Sequence, residues 1–157
     1  GLFWIIKFAF LPLGFTIPLL QLLFVLLTFF VPILGYLYAR KFRNRYCDGT
    51  ITFSRAFAFT VLMYLFAALL AAVAHYIYFR YIDNGFLIDS YIGQLEAMKP
   101  TATEEMKESI DQFIEGFSLI SSLSPIQLTF QLISQNFMNG VLLALPTALL
   151  VMRRKHN

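Results

Sequence analysis

What this chain lacks most is charge, and carboxylate above all. Only 13% of its 157 residues are Asp, Glu, Lys or Arg, about half of the roughly 25% usual for a globular domain. No Asp or Glu falls within Phe8–Ala39, Ala56–Phe79 or Gly116–Met152. Buried carboxylates mark proton relays, so their absence argues against proton coupling. One cysteine, Cys47, excludes an intramolecular disulfide and any metal-type cysteine spacing. It adjoins a basic cluster and reads as a solvent-near or interfacial thiol. Neither His75 nor His156 stands in a metal-ligand spacing or a nucleophile–base arrangement, and no glycine-rich phosphate loop occurs. The expectation is no catalytic residue, no metal and no cofactor, and a protein that is not an enzyme.

What is present is apolar length. Hydrophobic residues make up 59% of the chain, concentrated in those three runs. About 20 apolar residues cross roughly 30 Å of hydrocarbon as a helix. The reading is an all-α integral membrane bundle of four transmembrane helices, one membrane domain over residues 1–157, with an amphipathic helical segment on the outer face. The helices are placed at about 1–13, 18–38, 53–81 and 125–152, and the outer segment at 83–124. Pro12, Gly14 and Pro18 divide the first run, and Pro18 suits a first helical turn, where its missing N–H costs nothing. Helix 1 is then too short to span, so more of it is expected upstream of Gly1. No cleavable signal layout is visible.

Residues 40–50 read as a basic connection, with Asp48-Gly49 as its turn and Thr50, Thr52 and Ser54 offering N-cap oxygens for the next helix. In the polar segment, Lys99-Pro100 ends one amphipathic helix and Thr101-x-x-Glu104 is a capping box for a second. Ser124-Pro125 opens the last helix, which Pro146 should kink.

Charge is segregated. Arg40, Lys41, Arg43, Arg45 and Arg55 face the single Asp48, and the tail adds Arg153, Arg154 and Lys155. Residues 83–115 carry eight acids against Lys99 and Lys107. Every basic cluster abuts an apolar run, so topology explains it better than nucleic acid does. Short basic loops stay cytoplasmic, which places both termini inside and 83–124 outside. The inner cluster is also expected to attract anionic lipid headgroups.

Two helix faces stand out. Ala67, Ala68, Ala71 and Ala72 have spacings that let helix backbones approach closely, a candidate packing face. Gln127, Gln131, Gln135 and Asn139 recur every four residues, with Ser134 and Asn136 beside them. Amides exposed to lipid are costly, so this line should face protein, water or a polar ligand. Interhelical hydrogen bonding explains it most simply; a partner-binding stripe or water-lined groove is the functional alternative. Lys7 reads as an anchor whose stem snorkels to the headgroups. His75 reads as a satisfied or interfacial histidine.

The run Asp48-Gly49-Thr50-Ile51-Thr52-Phe53-Ser54-Arg55-Ala56-Phe57 resembles a signature of domain-of-unknown-function family 4199, small bacterial membrane proteins. In that family a basic loop precedes the signature, and a long helix ends in an Ile-Asp-Pro-like turn. An amphipathic segment then leads to a last helix with a basic tail. Here the turn is Ile82-Asp83-Asn84, without the proline. The resemblance implies the four-helix fold, an upstream start and a bacterial inner membrane. It also implies a neighbouring partner such as a polyprenyl-phosphate glycosyltransferase. Within the signature, Asp48 and Gly49 make the turn, Phe53 packs it, Arg55 stays at headgroup level, and Asp48 can pair with a nearby arginine. The function expected is a non-catalytic accessory or scaffold subunit anchoring a membrane-protein partner. The alternative is a small transporter or channel subunit for a neutral or polar solute, formed as a homo-oligomer.

Overall fold

A computed structural model describes residues 1–153. The described residues form six α-helices and one short 3-10 turn: α1 Leu2–Gly14, α2 Pro18–Tyr46, α3 Phe53–Tyr81, α4 Phe86–Met98, the turn Lys99–Thr101, α5 Glu104–Ser121 and α6 Pro125–Val151. No strand occurs among them; one isolated antiparallel bridge joins Ile51 to Arg153. The all-α reading holds. Three helices, α2, α3 and α6, are long and apolar enough to cross a membrane. The fourth, α1, has 13 residues and rises only about 20 Å.

The second helix runs past its expected end at residue 38, through the basic cluster to Tyr46. Nothing between Tyr38 and Tyr46 breaks a helix, and Arg and Lys are good helix formers. Asp48 and Gly49, at φ +49° and +76°, supply the stop. Glycine accepts that region freely, and Asp tolerates it better than most residues. Of the three candidate caps for α3, Thr52 serves, its hydroxyl accepting from Arg55 N–H at 3.4 Å. The cap of α5 is Thr103, not Thr101: Thr103 accepts from Met106 N–H, while the Thr101 hydroxyl closes the preceding turn on Met98. Glu104 and Glu105 then fall in the first turn, where the helix dipole favours acids.

The chain divides into two compact units, Gly1–Val73 with the chain from Leu132 onward, and Ala74–Gln131. The first, the bundle unit, is held by small residues in four-residue register. On α2 the buried positions are Val31, Gly35, Ala39 and Arg43. On α3 they include Ala56, Thr60, Tyr64, Ala68, Ala71 and Ala72, and on α6 Gly140, Ala144, Thr147, Ala148 and Val151. Tyr64 is where these lines meet. A Cβ on Gly35 would collide with its hydroxyl, and one on Gly140 would lie 2.6 Å from its Cβ. Trp4 of α1 stacks on the ring at 5.9 Å, and the hydroxyl donates to Val31 O at 3.3 Å. Glycine is required at 35 and 140 because any side chain there would displace the tyrosine. Close backbone approach of this kind is how helices associate where lipid removes the hydrophobic drive.

The second, acidic unit contains the amphipathic helices α4 and α5. Asp83 is buried, and its two carboxylate oxygens accept from Gly85 N–H at 3.1 Å and Leu87 N–H at 3.0 Å. It thereby satisfies donors at the start of α4. Asn84 takes φ +46°, a value closed to the proline of the related turn, whose ring holds φ near −65°. Tyr91 stacks on Phe117 at 5.3 Å, tying α4 to α5.

Candidate functional site

Two polar arrangements lie inside the bundle unit, and neither follows the sequence expectation fully. The first is a clasp built on the signature turn. Arg43 is 4% exposed, and its Nη1 donates to the Val151 carbonyl at 2.9 Å while Nε donates to Asn44 Oδ1 at 2.9 Å. A guanidinium here meets an orphan carbonyl at the end of α6, where the helix dipole favours a cation. Ile51 and Arg153 exchange two backbone hydrogen bonds of 2.9 and 3.0 Å. Ile51, Cys47, Ala39, Ala56, Ala148 and Val151 form the buried cluster beneath.

Several expectations are corrected at this clasp. Cys47 is 8% exposed and lies in the core rather than near solvent. Arg43, counted with the headgroup-facing cluster, is buried. Asp48 is exposed and forms no ion pair among the described residues. Arg55 stands exposed with its guanidinium 6.0 Å from the Phe42 ring centre, and Phe53 is half-buried, stacked on Phe57 at 6.0 Å. Arg154, Lys155 and His156 lie outside the described residues.

The second arrangement is a cavity of about 360 Å³ among α1, α2 and α6. Lys7, Thr28, Asn136 and Asn139 supply its polar wall, and Trp4, Phe29, Leu142 and Leu143 part of its apolar wall. Lys7 Nζ donates to Thr28 Oγ1 at 3.4 Å and lies 5.0 Å over the Phe24 ring. The Thr28 hydroxyl in turn donates to Phe24 O at 2.8 Å. Thr28, Phe29, Asn139 and Leu142 are exposed, so the cavity opens sideways on the bundle surface. Along α2, Thr28 lies ten residues from Pro18 and twelve from Arg40, about 15 and 18 Å at helical rise. That is the middle of the apolar part of α2, and there the Lys7 ammonium meets Thr28 and Phe24.

The expected amide line on α6 separates by role. Gln127 belongs to the helix start, where its Oε1 accepts from Ser124 N–H at 2.8 Å and Ser124 Oγ at 3.0 Å, a capping box. Gln131 and Gln135 are exposed. Asn139 reaches the Lys7 cavity, with Asn136. Of the alanine face, Ala68, Ala71 and Ala72 are buried and Ala67 is half-buried. His75 is 4% exposed.

Sequence reasoning missed Arg43, Tyr64 and the Lys7 cavity. Gly35-x-x-x-Ala39-x-x-x-Arg43 and Gly140-x-x-x-Ala144-x-x-x-Ala148 carried a signal for the close-packed faces. Nothing in spacing links Lys7 to Thr28 and Asn139, because they meet only across helices.

The chain belongs to the family described as protein of unknown function (DUF4199), whose family model matches residues 1–153. No curated protein and no solved structure matches it.

Proposed function

We propose that this protein is a non-catalytic integral membrane accessory subunit that anchors or stabilises a membrane partner. One observation carries the reading: polar side chains stand exposed at mid-span. Gln135 and Asn139 lie ten and fourteen residues into α6, about 15 to 21 Å along it, and both are exposed. In hydrocarbon, amides without partners are costly, and a neighbouring protein that covers them relieves that cost.

In this reading four helices cross a bacterial inner membrane, α1 among them, with both termini cytoplasmic and residues 83–124 outside. The Ile51–Arg153 bridge supports that orientation, because it holds the α2–α3 connection and the start of the tail at one end of the bundle unit. Basic residues gathered at one end follow the positive-inside pattern. A polyprenyl-phosphate glycosyltransferase is the partner class suggested by the family resemblance.

Affinity purification of the full chain in mild detergent tests the reading. A stoichiometric membrane partner is the expected result. A homo-oligomer that carries solute across liposomes would replace this reading with the transporter one, and a lone monomer would remove both. A tag after Asn157 should be labelled only once the membrane is opened.

A further inference from the structure

We propose that the Lys7 cavity receives a carboxylate borne on a membrane-spanning helix of the partner, so that the ion pair fixes how the two proteins register. The proposal rests on the accessory-subunit reading and names the chemistry of what docks.

The first support is an unbalanced cation. The bundle unit carries one carboxylate in its whole sequence, Asp48. It lies twenty residues from Thr28, about 30 Å at helical rise. Lys7 has a hydroxyl and an aromatic face as neighbours instead. A lysine at mid-bilayer depth is expensive unless paired, and intramembrane lysines pair with acids or carbonyls.

The second support is the cavity's shape and chemistry. It is open at Thr28 and Asn139, so a passing helix can present a side chain without entering. Lys7 offers an ammonium for one carboxylate oxygen, and the amides of Asn136 and Asn139 offer N–H donors for the other. The apolar wall that includes Trp4 and Leu143 lowers the local dielectric, which strengthens the pair.

Depth selects the occupant. Lipid phosphates and fatty-acid headgroups sit at the edge of a hydrocarbon layer about 30 Å thick, roughly 15 Å from its middle. A helix can carry a carboxylate to the middle; a headgroup cannot reach there without distorting the bilayer. A second copy of this chain is also excluded, because none of its apolar runs contains an acid.

The test uses the full chain in phosphatidylcholine vesicles and its single tryptophan, Trp4, which lines the cavity. The probe is a polyleucine transmembrane peptide with one mid-span Glu and a nearby dinitrophenyl quencher. Its control carries Gln in place of Glu. The Glu peptide should quench Trp4 at about tenfold lower peptide-to-lipid ratio than the Gln peptide, the scale of an interhelical polar contact in model peptides. Lys7→Met should erase that preference and Lys7→Arg should keep it. Equal quenching by both peptides on the wild-type chain, which needs no variant to fold, overturns the proposal. So does loss of the preference when phosphatidylglycerol is added, which would mean that a lipid headgroup fills the cavity. Purification from cells separates the two claims. A partner retained by Lys7→Met as by wild type sinks the cavity proposal and leaves the accessory reading. A wild-type chain with no partner sinks the accessory reading, while the peptide experiment still judges the cavity.

Discussion

The two units of this chain solve helix packing by opposite means. The bundle unit has one carboxylate, Asp48, among its many basic and apolar residues, and its helices meet through glycine, alanine and threonine. The acidic unit has eight carboxylates, buries Leu87, Ile88 and Ile110, and joins α4 to α5 through the Tyr91–Phe117 stack. Water supplies the drive in the second case. In lipid, apolar area gains nothing by leaving one oily surface for another, so closeness of fit must carry the association. The same contrast governs charge. Arg43 in the bundle is buried against a backbone carbonyl, whereas Lys99 and Asp111 pair at the exposed surface of the acidic unit.

The comparison is broken most directly at Gly140. Gly140→Val would drive a side chain into Tyr64, an overpacking cost of about 3 kcal/mol. Thermal unfolding in detergent should drop markedly, and an unchanged transition would show that fit is not what holds the bundle. Next comes Arg43→Met, which strands the Val151 carbonyl and should cost about 2 kcal/mol, the range of a hydrogen bond to a charged group. Proteolysis near residue 50 would report the opened clasp. Asp83→Ala removes two acceptors from the start of α4 and should cost about 1 to 2 kcal/mol. Faster amide exchange at Gly85 and Leu87, with Tyr64 untouched, would confine the damage to the acidic unit. Smallest is Lys99→Ala: an exposed pair is worth roughly 0 to 1 kcal/mol, so a shift beyond that would mean the ion pairs of this unit do more than solvate it.

How far the sequence could be read follows the same division. The long apolar runs, the Ser124-Pro125 start and the two amphipathic helices of the polar segment were legible, because each is a local pattern with one period. The end of α2 was misplaced because a basic cluster looks like a loop, yet Arg and Lys continue a helix until Asp48-Gly49 interrupts it. Arg43 is hidden by its company: three neighbouring cations, Arg40, Lys41 and Arg45, suggest a headgroup surface, and only its four-residue register with Gly35 and Ala39 betrays burial. The alanines of α3 stand out by number, whereas their partners on α2 and α6 carry the same four-residue spacing with only Gly35-Ala39 and Gly140-Ala144-Ala148, a weaker signal of the same kind. Lys7 reads from sequence as an anchor because its surroundings depend on where α1 turns back against α2. That is a tertiary fact, decided at Gly14, whose Cβ would lie 2.8 Å from Gln21 Cα.

The Ile51–Arg153 bridge has a consequence for biogenesis. The N–H and C=O of Ile51, a residue 4% exposed, find their partners in an arginine made a hundred residues later. Until translation reaches that arginine, the α2–α3 junction holds two backbone groups waiting for a mate, and a product cut short before residue 153 keeps them waiting. Such a fragment is distinguishable from the finished protein at one strand-like contact.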